Sequence, residues 1–445
     1  MESISTPYTY QFSHVLNREY TLDRKRLPGR NLKFLDLFAG AGGLSEGFIR
    51  AGFEPVAHVE MDTSACYTLK TRMARHWLFD NNREDIYYDY LNRQITRDDL
   101  YKNIPEKILS SVINEEICTG RLKDIFKKID EFNNGQIDLI IGGPPCQAYS
   151  LIGRSSDGNK MVNDKRNYLF KYYIKFLEKY EPAYFLFENV TGLLSAKDGD
   201  GILYLDKMKK AFKKAGYLTE YKTLSASDYG VLQKRKRIIL VGKKAGEKDL
   251  FPVPDKWLPN VQVNEALSDL PELSAGSGSD APCKLKEYSG QWLYQSFIRN
   301  DDYPVTLHQA RPHTKNDLDI YKRVVKAWNN GHKRLDYSTL PKKLKTRNNL
   351  TSFIDRYKIV EGDLNFCHTI LAHISKDGHY YIHPDIQQNR SITPREAARL
   401  QSFPDDYFFE ADIPYTNRGA IFRQIGNAVP VLMAEKIAAK LMENW

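Results

Sequence analysis

A repeated pattern of apolar strand and helix constrains this chain more than any other sequence feature. The run LKFLDLFAG, residues 32–40, has the composition of a buried strand and ends in glycine, and a helix-compatible segment follows from Gly43 to Ala51. A second strand, EPVAHVEMD, ends in Glu60 and Asp62 and precedes a helix predicted over residues 63–76. This alternation predicts βαβ units and therefore an α/β fold with a mainly parallel sheet.

Three further strands continue the pattern. They are predicted in IDLIIGG, which precedes a PPC turn, in AYFLFENV, which ends near Glu188 and Asn189, and in RIILVG, residues 237–242. In an open parallel sheet, ligands collect at the carboxyl ends of the strands. We therefore expect the functional site along that edge, because every predicted strand except the last ends in a polar or glycine-rich motif.

Two stretches depart from the alternation. The interval from about Phe79 to Gln136 is rich in Asp, Asn, Arg and Lys, and one or two surface helices without chemistry are predicted there. A later stretch rich in Pro, Ser, Gly, Tyr and Lys is predicted to form a separate lobe, after which TPREAARLQSFP and QIGNAVP restore the helical pattern. The predicted organisation is a tail over residues 1–30, an α/β domain over 31–244 and 389–445, and a middle lobe over 245–388.

The charge of the chain favours a polyanionic partner without establishing one. Lys and Arg number 65 against 56 Asp and Glu, a net charge of +9, and basic residues cluster in QKRKR and KKLKTR. A solvated basic surface explains the same composition equally well. The mean hydropathy is -0.54, no apolar run is long enough to cross a bilayer, and the first residues do not form a secretory signal, so a cytoplasmic protein is predicted.

One of the five cysteines has the setting of a nucleophile. Cys66, Cys118, Cys146, Cys283 and Cys367 are scattered and never form CxxC, so neither a disulfide framework nor a metal site is expected. Cys146 follows an apolar strand and two prolines in GGPPCQAYS, whereas a structural cysteine is more often found inside the strand. We therefore predict that Cys146 is reactive.

The segment DLFAGAGGLSEGF, residues 36–48, places four glycines around a strand-to-helix turn. Gly40 to Gly43 let the backbone approach a ligand closely, as nicotinamide-binding loops also do, although many glycine turns bind nothing. The spacing departs from GxGxxG, and Phe38 and Leu44 do not suit a pyrophosphate cradle, so a flatter, cationic cofactor such as S-adenosylmethionine fits better. Glu60 is expected to accept hydrogen bonds from both ribose hydroxyls, which either cofactor would require.

Charged side chains are predicted beside Cys146. Glu188 ends the neighbouring strand in ENV, although most acids at such positions are helix caps or surface groups. Arg235 and Arg237 in QKRKR bring permanent positive charge to the same edge, which would favour the thiolate at neutral pH.

A thiol, a carboxyl group and fixed positive charge at one edge suit chemistry at C5 of cytosine. That carbon becomes nucleophilic only when a group adds covalently at C6 while N3 gains a proton or a strong hydrogen bond. Cys146 would add at C6, and Glu188 would serve N3. Because C6 is hidden in a stacked duplex, the base must be flipped out, which requires a basic groove lined by a second lobe.

Six motifs in this order resemble the bacterial DNA (cytosine-5)-methyltransferase family: DLFAGAGG, the Glu60 acidic site, GGPPCQAYS, ENV, QKRKR and QIGNAVP. The resemblance covers residues 32–242 and about 390–445. It implies a Rossmann-like S-adenosylmethionine-dependent methyltransferase domain and a smaller target recognition domain, the middle lobe, that reads a sequence of double-stranded DNA. No metal is implied.

The resemblance also implies roles for individual residues. It makes Cys146 the nucleophile and Glu188 the contact to N3, and it gives Arg235 and Arg237 contacts to phosphate and to O2 of the flipped base. The family's third acidic, adenine-contacting position stays unassigned, with Asp85 as a weak candidate. The cofactor contacts implied or predicted in the same pocket are Phe38, Ala39, Gly40, Gly42, Gly43, Leu44, Glu60, Met61, Pro145, Leu169 and Asn427.

Alternatives to a DNA methyltransferase remain open from the sequence. A small branch of the same family methylates transfer RNA with the same motifs, but the size of the middle lobe favours duplex DNA. A DNA-binding regulator with an inactive site should have lost some of the motif residues, and a dehydrogenase is a more distant alternative. The preferred prediction is a monomeric modification enzyme of a restriction system or a solitary relative of one, with a cognate endonuclease acting on the same site as a candidate partner.

Overall fold

The computed structural model of this chain describes residues 31–133, 135–145, 168–247, 251–300, 303–346, 354–414 and 417–445. Its centre is a sheet of seven strands in the order β3-β2-β1-β4-β5-β7-β6. The pairs from β3 to β5 are parallel, and β7 pairs antiparallel with both β5 and β6. The strands are β1 (Lys33–Leu37), β2 (Glu54–Glu60), β3 (Val112–Asn114), β4 (Leu139–Gly142), β5 (Tyr184–Val190), β6 (Tyr217–Ser225) and β7 (Lys236–Lys244).

Helices cover both faces of the sheet, and two of them lie within the middle lobe. Within the described residues, no helix is both long and apolar enough to span a membrane. The helices are α1 (Gly43–Arg50), α2 (Thr63–Asp80), α3 (Glu84–Leu91), α4 (Arg97–Lys102), α5 (Glu106–Ser110), α6 (Leu122–Phe132), α7 (Leu169–Tyr180), α8 (Tyr204–Lys214), α9 (Trp292–Gln295), α10 (Lys315–Asn329), α11 (Pro394–Leu400), α12 (Arg418–Asn427) and α13 (Val431–Asn444).

Alternation along the strands divides the core into two layers. In β1, Leu35 and Leu37 pack with α6, α7 and α8, whereas Phe34 packs on the opposite face with α1 and α13. All four residues of β4 are buried, as expected for a parallel strand with helices on both faces. The predicted α/β fold with a mainly parallel sheet is therefore confirmed.

The sequence did not predict the antiparallel end of the sheet. The strand predicted over residues 237–242 is present as β7, but it runs opposite to β5, and β6 beside it was missed. Most of β6 is exposed, including Leu218 and Tyr221, because it is an edge strand. Its polar and charged composition hides it from a search for buried strands.

The prediction of one or two surface helices over residues 79–136 was wrong. This interval holds β3, which extends the sheet beside β2, and the helices α3 to α6. Tyr87 and Tyr90 on α3 are buried, and their hydroxyl groups donate to the carbonyl oxygen of Asp406 at 2.7 Å and to Oε1 of Glu410 at 2.5 Å. The polar residues that suggested a surface segment form only the outer faces of short, amphipathic helices.

Buried ion pairs fix the C-terminal segment against the first βαβ unit. Arg72 on α2 contacts Glu46 on α1 at 2.6 Å and Asp406 at 3.1 Å. Burial alone would raise the pKa of Glu46, but Arg72 and His76 hold it well below its usual range. The end of the chain therefore packs beside β1, although it is distant in sequence.

The middle lobe contributes to two separate cores. One part, with residues such as Trp292 and Tyr381, shares a core with α11 and α12. Another part, built on α10 and including Val324, Trp328 and Tyr337, has a core of its own. Two short strands, β8 (Gly278–Ser279) and β9 (His308–Gln309), pair antiparallel in this lobe.

Candidate active site

The loop after β1 has an unusual backbone at three positions. Phe38, Gly40 and Gly42 have φ angles of 57°, 56° and 78°, in the left-handed region. Glycine adopts this region freely, but Phe38 does so at a cost of about 1–2 kcal/mol. A non-glycine residue held in that conformation is typical of loops shaped for a ligand.

Glu60 connects this loop to the end of β2. Its Oε2 accepts from the backbone N–H of Gly40 at 2.8 Å, and its Oε1 accepts from those of Met61 and Asp62, also at 2.8 Å. Burial raises the pKa of Glu60, and the three N–H groups oppose that shift. The side chain of Met61 is 60% exposed, so an apolar surface lies next to a fixed carboxylate.

The glycines of the loop have different surroundings. A Cβ added to Gly40 would meet nothing within 4 Å, so space is open on that side. A Cβ on Gly43 would lie 2.3 Å from the carbonyl oxygen of Val429, and one on Gly42 would lie 2.7 Å from Cδ2 of Leu69. Gly40 therefore borders the open space, whereas Gly42 and Gly43 allow close packing within the protein.

Leu44 and Ala39 are also packing residues in this structure. The side chain of Leu44 belongs to the core between α1 and α13, and that of Ala39 packs against Leu69 on α2. Contact between these two residues and a cofactor is thus left to their backbone atoms.

A buried acid lies at the end of β1. Asp36 is 1% exposed, and its Oδ2 has no hydrogen-bond partner among the described residues. Burial, and then the charge of Glu60, raise the pKa of Asp36 well above its usual range. Two buried carboxyl groups beside an open loop would be stabilised by a cationic ligand.

The ends of β4 and β5 meet at the two-proline turn. The side-chain amide of Asn189 donates to the carbonyl oxygen of Pro144 at 3.2 Å, and a Cβ on Gly143 would lie 2.6 Å from Oε2 of Glu188. The carboxyl group of Glu188 therefore lies directly against the turn. Pro145 is half-buried, and Cys146, the next residue, lies outside the described residues.

Arg237 forms an ion pair with the carboxyl group of Glu188 on the side away from the two-proline turn. Its Nε lies 2.6 Å from Oε1 of Glu188, and the two side chains are 11% and 12% exposed. The antiparallel pairing of β5 with β7 brings them together. The structure therefore joins two of the predicted site residues.

Arg235 is placed differently. It is fully buried, and its guanidinium donates to the carbonyl oxygens of Ile370 at 2.7 Å, Gly426 at 3.0 Å and Asn427 at 3.3 Å. Arg235 is therefore hydrogen-bonded to the backbone of the middle lobe and of α12. This placement does not support the predicted contact to phosphate or to the base.

The remaining cofactor predictions lie at helix ends. Asn427 is the exposed last residue of α12, and the next two residues, Ala428 and Val429, pack against Gly43 of the glycine loop. Leu169 is the half-buried first residue of α7. Asn427 is therefore adjacent in the chain to residues that pack against the glycine loop, whereas among the described residues Leu169 makes no hydrogen bond to that loop.

The sequence analysis missed Asn114, the last residue of β3. Its side-chain amide donates to the carbonyl oxygens of Glu60 at 3.3 Å and Met61 at 3.1 Å. The weak candidate Asp85 instead lies exposed on α3, not at a strand end. The short apolar run before Asn114 and the acids Glu115 and Glu116 after it were the available signal.

A mainly parallel sheet with a glycine loop after β1 and an acid at the end of β2 defines a Rossmann-like class of nucleotide-cofactor enzymes. The chain belongs to the C-5 cytosine-specific DNA methylase family, whose sequence profile matches residues 32–100 and 106–443. It is an enzyme that methylates C5 of cytosine in DNA, and the family takes the methyl group from S-adenosylmethionine.

Individual relatives agree with this assignment. The type II methyltransferase M.Bpa9945I of Bacillus paralicheniformis is 38% identical, with 91% of this chain and 97% of the relative covered. The type II methyltransferase M.DdeI of Desulfomicrobium norvegicum is 30% identical, with coverages of 93% and 89%. Among solved structures, an E. coli prophage protein assigned as a DNA modification methyltransferase has a TM-score of 0.59 and 25% identity, with 93% of this chain and 99% of that chain covered.

Proposed function

We propose that the enzyme modifies a specific duplex sequence through covalent attack by Cys146 on a flipped cytosine, with Glu188 at N3 and Arg237 fixing Glu188. The supporting observation is the position of the Glu188 carboxyl group. It lies against the turn that immediately precedes Cys146 and is held on its other side by Arg237 at 2.6 Å. A carboxyl group fixed beside the nucleophile's turn is the arrangement that addition at C6 and hydrogen bonding at N3 require.

The proposed steps conserve atoms and charge. The thiolate of Cys146 forms a bond to C6 while Glu188, in its protonated form, gives its proton to N3, which makes C5 nucleophilic. The proton returns from N3 to the Glu188 carboxylate as C5 accepts the methyl group. S-adenosylmethionine supplies the methyl group that C5 accepts. A base then removes the proton from C5, the bond between sulfur and C6 breaks, and Cys146 leaves as a thiolate.

The described residues fit this cofactor. Gly40 borders open space, Glu60 presents a fixed carboxylate, and Met61 offers an exposed apolar side chain. Asp36 has a buried oxygen without a hydrogen-bond partner among the described residues, which suits a cationic ligand. We propose that these residues, with Asn114 at the end of β3, hold S-adenosylmethionine. Phe38, Pro145, Leu169 and Asn427 are proposed as further contacts on the basis of the family motifs.

We further propose that residues 245–388 form the target recognition domain of a restriction-modification methyltransferase. The relatives M.Bpa9945I and M.DdeI are type II methyltransferases, which supports this role. The enzyme would act as a monomer on double-stranded DNA in the bacterial cytoplasm, at the nucleoid. A cognate endonuclease that cuts the same sequence when it is unmethylated would complete the system.

Bisulfite sequencing of plasmid DNA from cells that express the enzyme tests this function. We expect every copy of one short sequence to be protected at a single cytosine, and no protection from the Cys146→Ser variant. Transfer RNA from the same cells serves as the comparison. Methylation confined to transfer RNA, or protection by both proteins alike, would contradict the proposal.

A further inference from the structure

Three fully buried polar residues connect segments that the proposed function assigns to different tasks. Gln233 and Arg235 lie just before β7, which carries Arg237, and Gln401 directly follows α11. Each of the three is 0% exposed. We call them the Gln233–Arg235–Gln401 cluster. Most buried polar side chains have their hydrogen bonds formed, so the contacts of these three show what they hold in place.

The first contact is between two glutamines. Nε2 of Gln233 donates to Oε1 of Gln401 at 2.8 Å and to the carbonyl oxygen of Leu400 at 2.7 Å. Nε2 of Gln401 donates in turn to the carbonyl oxygen of Ile425 at 2.7 Å. This chain of hydrogen bonds joins the segment before β7 to the end of α12, immediately before the Gly426–Asn427 turn.

The second contact is with the middle lobe. Oε1 of Gln233 accepts from the backbone N–H of Ile370 at 3.0 Å, and Arg235 donates to the carbonyl oxygen of the same residue at 2.7 Å. The backbone adds further bonds, since the N–H of Cys367 donates to Leu232 at 3.0 Å and that of Lys234 donates to Cys367 at 2.9 Å. Residues 367–370 are therefore held in register with residues 232–235.

Close packing completes the junction. A Cβ on Gly426 would lie 2.3 Å from the backbone nitrogen of Ala372, so the last turn of α12 touches the lobe segment directly. Arg235 spans the same contact, because it donates to Ile370 on one side and to Gly426 and Asn427 on the other. A shift of the lobe segment would thus disturb both the turn and the segment that leads to Arg237.

We infer that Gln233 and Gln401 are positioning residues that couple the recognition lobe to the Glu188–Arg237 pair. This inference rests on the proposed function, in which the lobe reads DNA and the pair serves the flipped base. The glutamines touch neither substrate nor cofactor. They hold residues 367–370, the start of β7 and the last turn of α12 as one rigid unit, so a correctly seated target sequence aligns Arg237 and through it Glu188.

The test compares Gln233→Met and Gln401→Met with a control on α12. The control is Gln424→Met, which removes a glutamine that is also buried, at 6% exposed, and whose partners, Thr68 and the carbonyl oxygen of Glu410, lie outside the cluster. Covalent trapping on 5-fluorocytosine DNA counts the active sites, so kcat and KM can be given per active enzyme. Binding of S-adenosylhomocysteine is measured in parallel by calorimetry.

For Gln233→Met we expect kcat/KM for DNA to fall about tenfold or more, with S-adenosylhomocysteine affinity unchanged, because small misplacement of a reacting group is costly. Gln424→Met should keep the wild-type kinetic constants per active site. The double variant Gln233→Met/Gln401→Met should lose less than the product of the two single losses, because the residues act as one unit. Equal kinetics for Gln233→Met and Gln424→Met would overturn the inference.

A measurement on the wild type covers the case in which the variants do not fold. Hydrogen exchange should slow in residues 367–371 and 424–428 together when target DNA binds, but not with DNA that lacks the site. Slowing in only one of the two segments would overturn the coupling. If the wild type forms no adduct with 5-fluorocytosine DNA, the proposed function fails, whereas an adduct with uncoupled segments refutes only the positioning role.

Discussion

The guanidinium of Arg237 fixes the carboxyl group of Glu188, with Nε 2.6 Å from Oε1 across the antiparallel pair of β5 and β7. The two side chains are almost buried, so the charge-assisted hydrogen bond is shielded from water. The pair sets where the carboxyl group points, toward the turn that precedes Cys146.

Replacing Arg237 by Ala should lower kcat by about 10²-fold, because an acid-base group that loses its orientation loses most of its contribution. Methyl transfer to target DNA under saturating conditions measures the effect. Arg237→Lys keeps the charge but not the planar geometry, so its kcat should lie between those of the wild type and of Arg237→Ala. A kcat for Arg237→Ala within the error of wild type would show that Glu188 does not depend on this contact.

Cys146→Ala should abolish turnover and leave DNA binding nearly unchanged, because the proposed task of the sulfur is to form a covalent bond. Gel-shift titration with target DNA and S-adenosylhomocysteine gives the Kd, and methyl transfer gives the rate. A variant that loses binding as fully as it loses activity would mean that Cys146 has a structural role instead.

Gly40→Ala and Gly47→Ala should fail in different ways. At Gly40 the φ of 56° costs an alanine about 1–2 kcal/mol, and the new methyl group enters the open side of the loop, so S-adenosylhomocysteine should bind about tenfold more weakly. At Gly47 an added Cβ would lie 2.4 Å from Cβ of Ala434, so α1 and α13 must separate and the Tm should fall.

Calorimetric titration and thermal unfolding distinguish the two glycine variants. We expect Gly47→Ala, once folded, to bind S-adenosylhomocysteine with wild-type affinity. The opposite pattern, with weaker binding only for Gly47→Ala, would place the cofactor on the other side of the loop.

Buried histidines predict loss of stability in mild acid. Burial lowers the pKa of His58 to about 3, and that of His313 and His383 to about 4. In the unfolded chain these rings titrate near pH 6.5, so between that pH and about 4 the unfolded state binds more protons. The free energy of unfolding should therefore fall as the pH drops through this window, by at most about 1.4 kcal/mol per pH unit for each ring.

Urea unfolding at a series of pH values checks this prediction. His58→Gln should weaken the pH dependence of the free energy of unfolding, because glutamine gains no proton on unfolding. A wild-type free energy that stays constant from pH 7 to 4 would contradict the assignment of these rings as buried and neutral.

The parts of the fold that follow from periodicity were predictable. β1, β2, β4 and β5 are apolar runs that end in glycine, acid or proline motifs, and their parallel pairing follows from the helices between them. β3 was missed because it has only three residues, and β6 was missed because it is an exposed edge strand without a buried strand's composition. The antiparallel direction of β7 depends on its pairing with β6, which was not predicted.

Within the site, residue type identified the acidic residues, but it did not predict how deeply each site side chain is buried. Glu60 and Glu188 were found because each ends a predicted apolar strand. The difference between Arg235 and Arg237 was hidden, since both lie in one basic run and Arg235 is buried by contacts with the middle lobe and with α12, which are distant in sequence. Asn114 was missed for a similar reason, because its role depends on β3 lying next to β2.

The most direct test of the central claim is covalent trapping on 5-fluorocytosine DNA. Fluorine at C5 cannot leave as a proton does, so an enzyme that adds sulfur to C6 and transfers the methyl group stays attached to the DNA. We predict an adduct that resists denaturation by SDS, requires S-adenosylmethionine, and maps by mass spectrometry to Cys146. An adduct on another residue, or methylated product from Cys146→Ser without any adduct, would contradict the account.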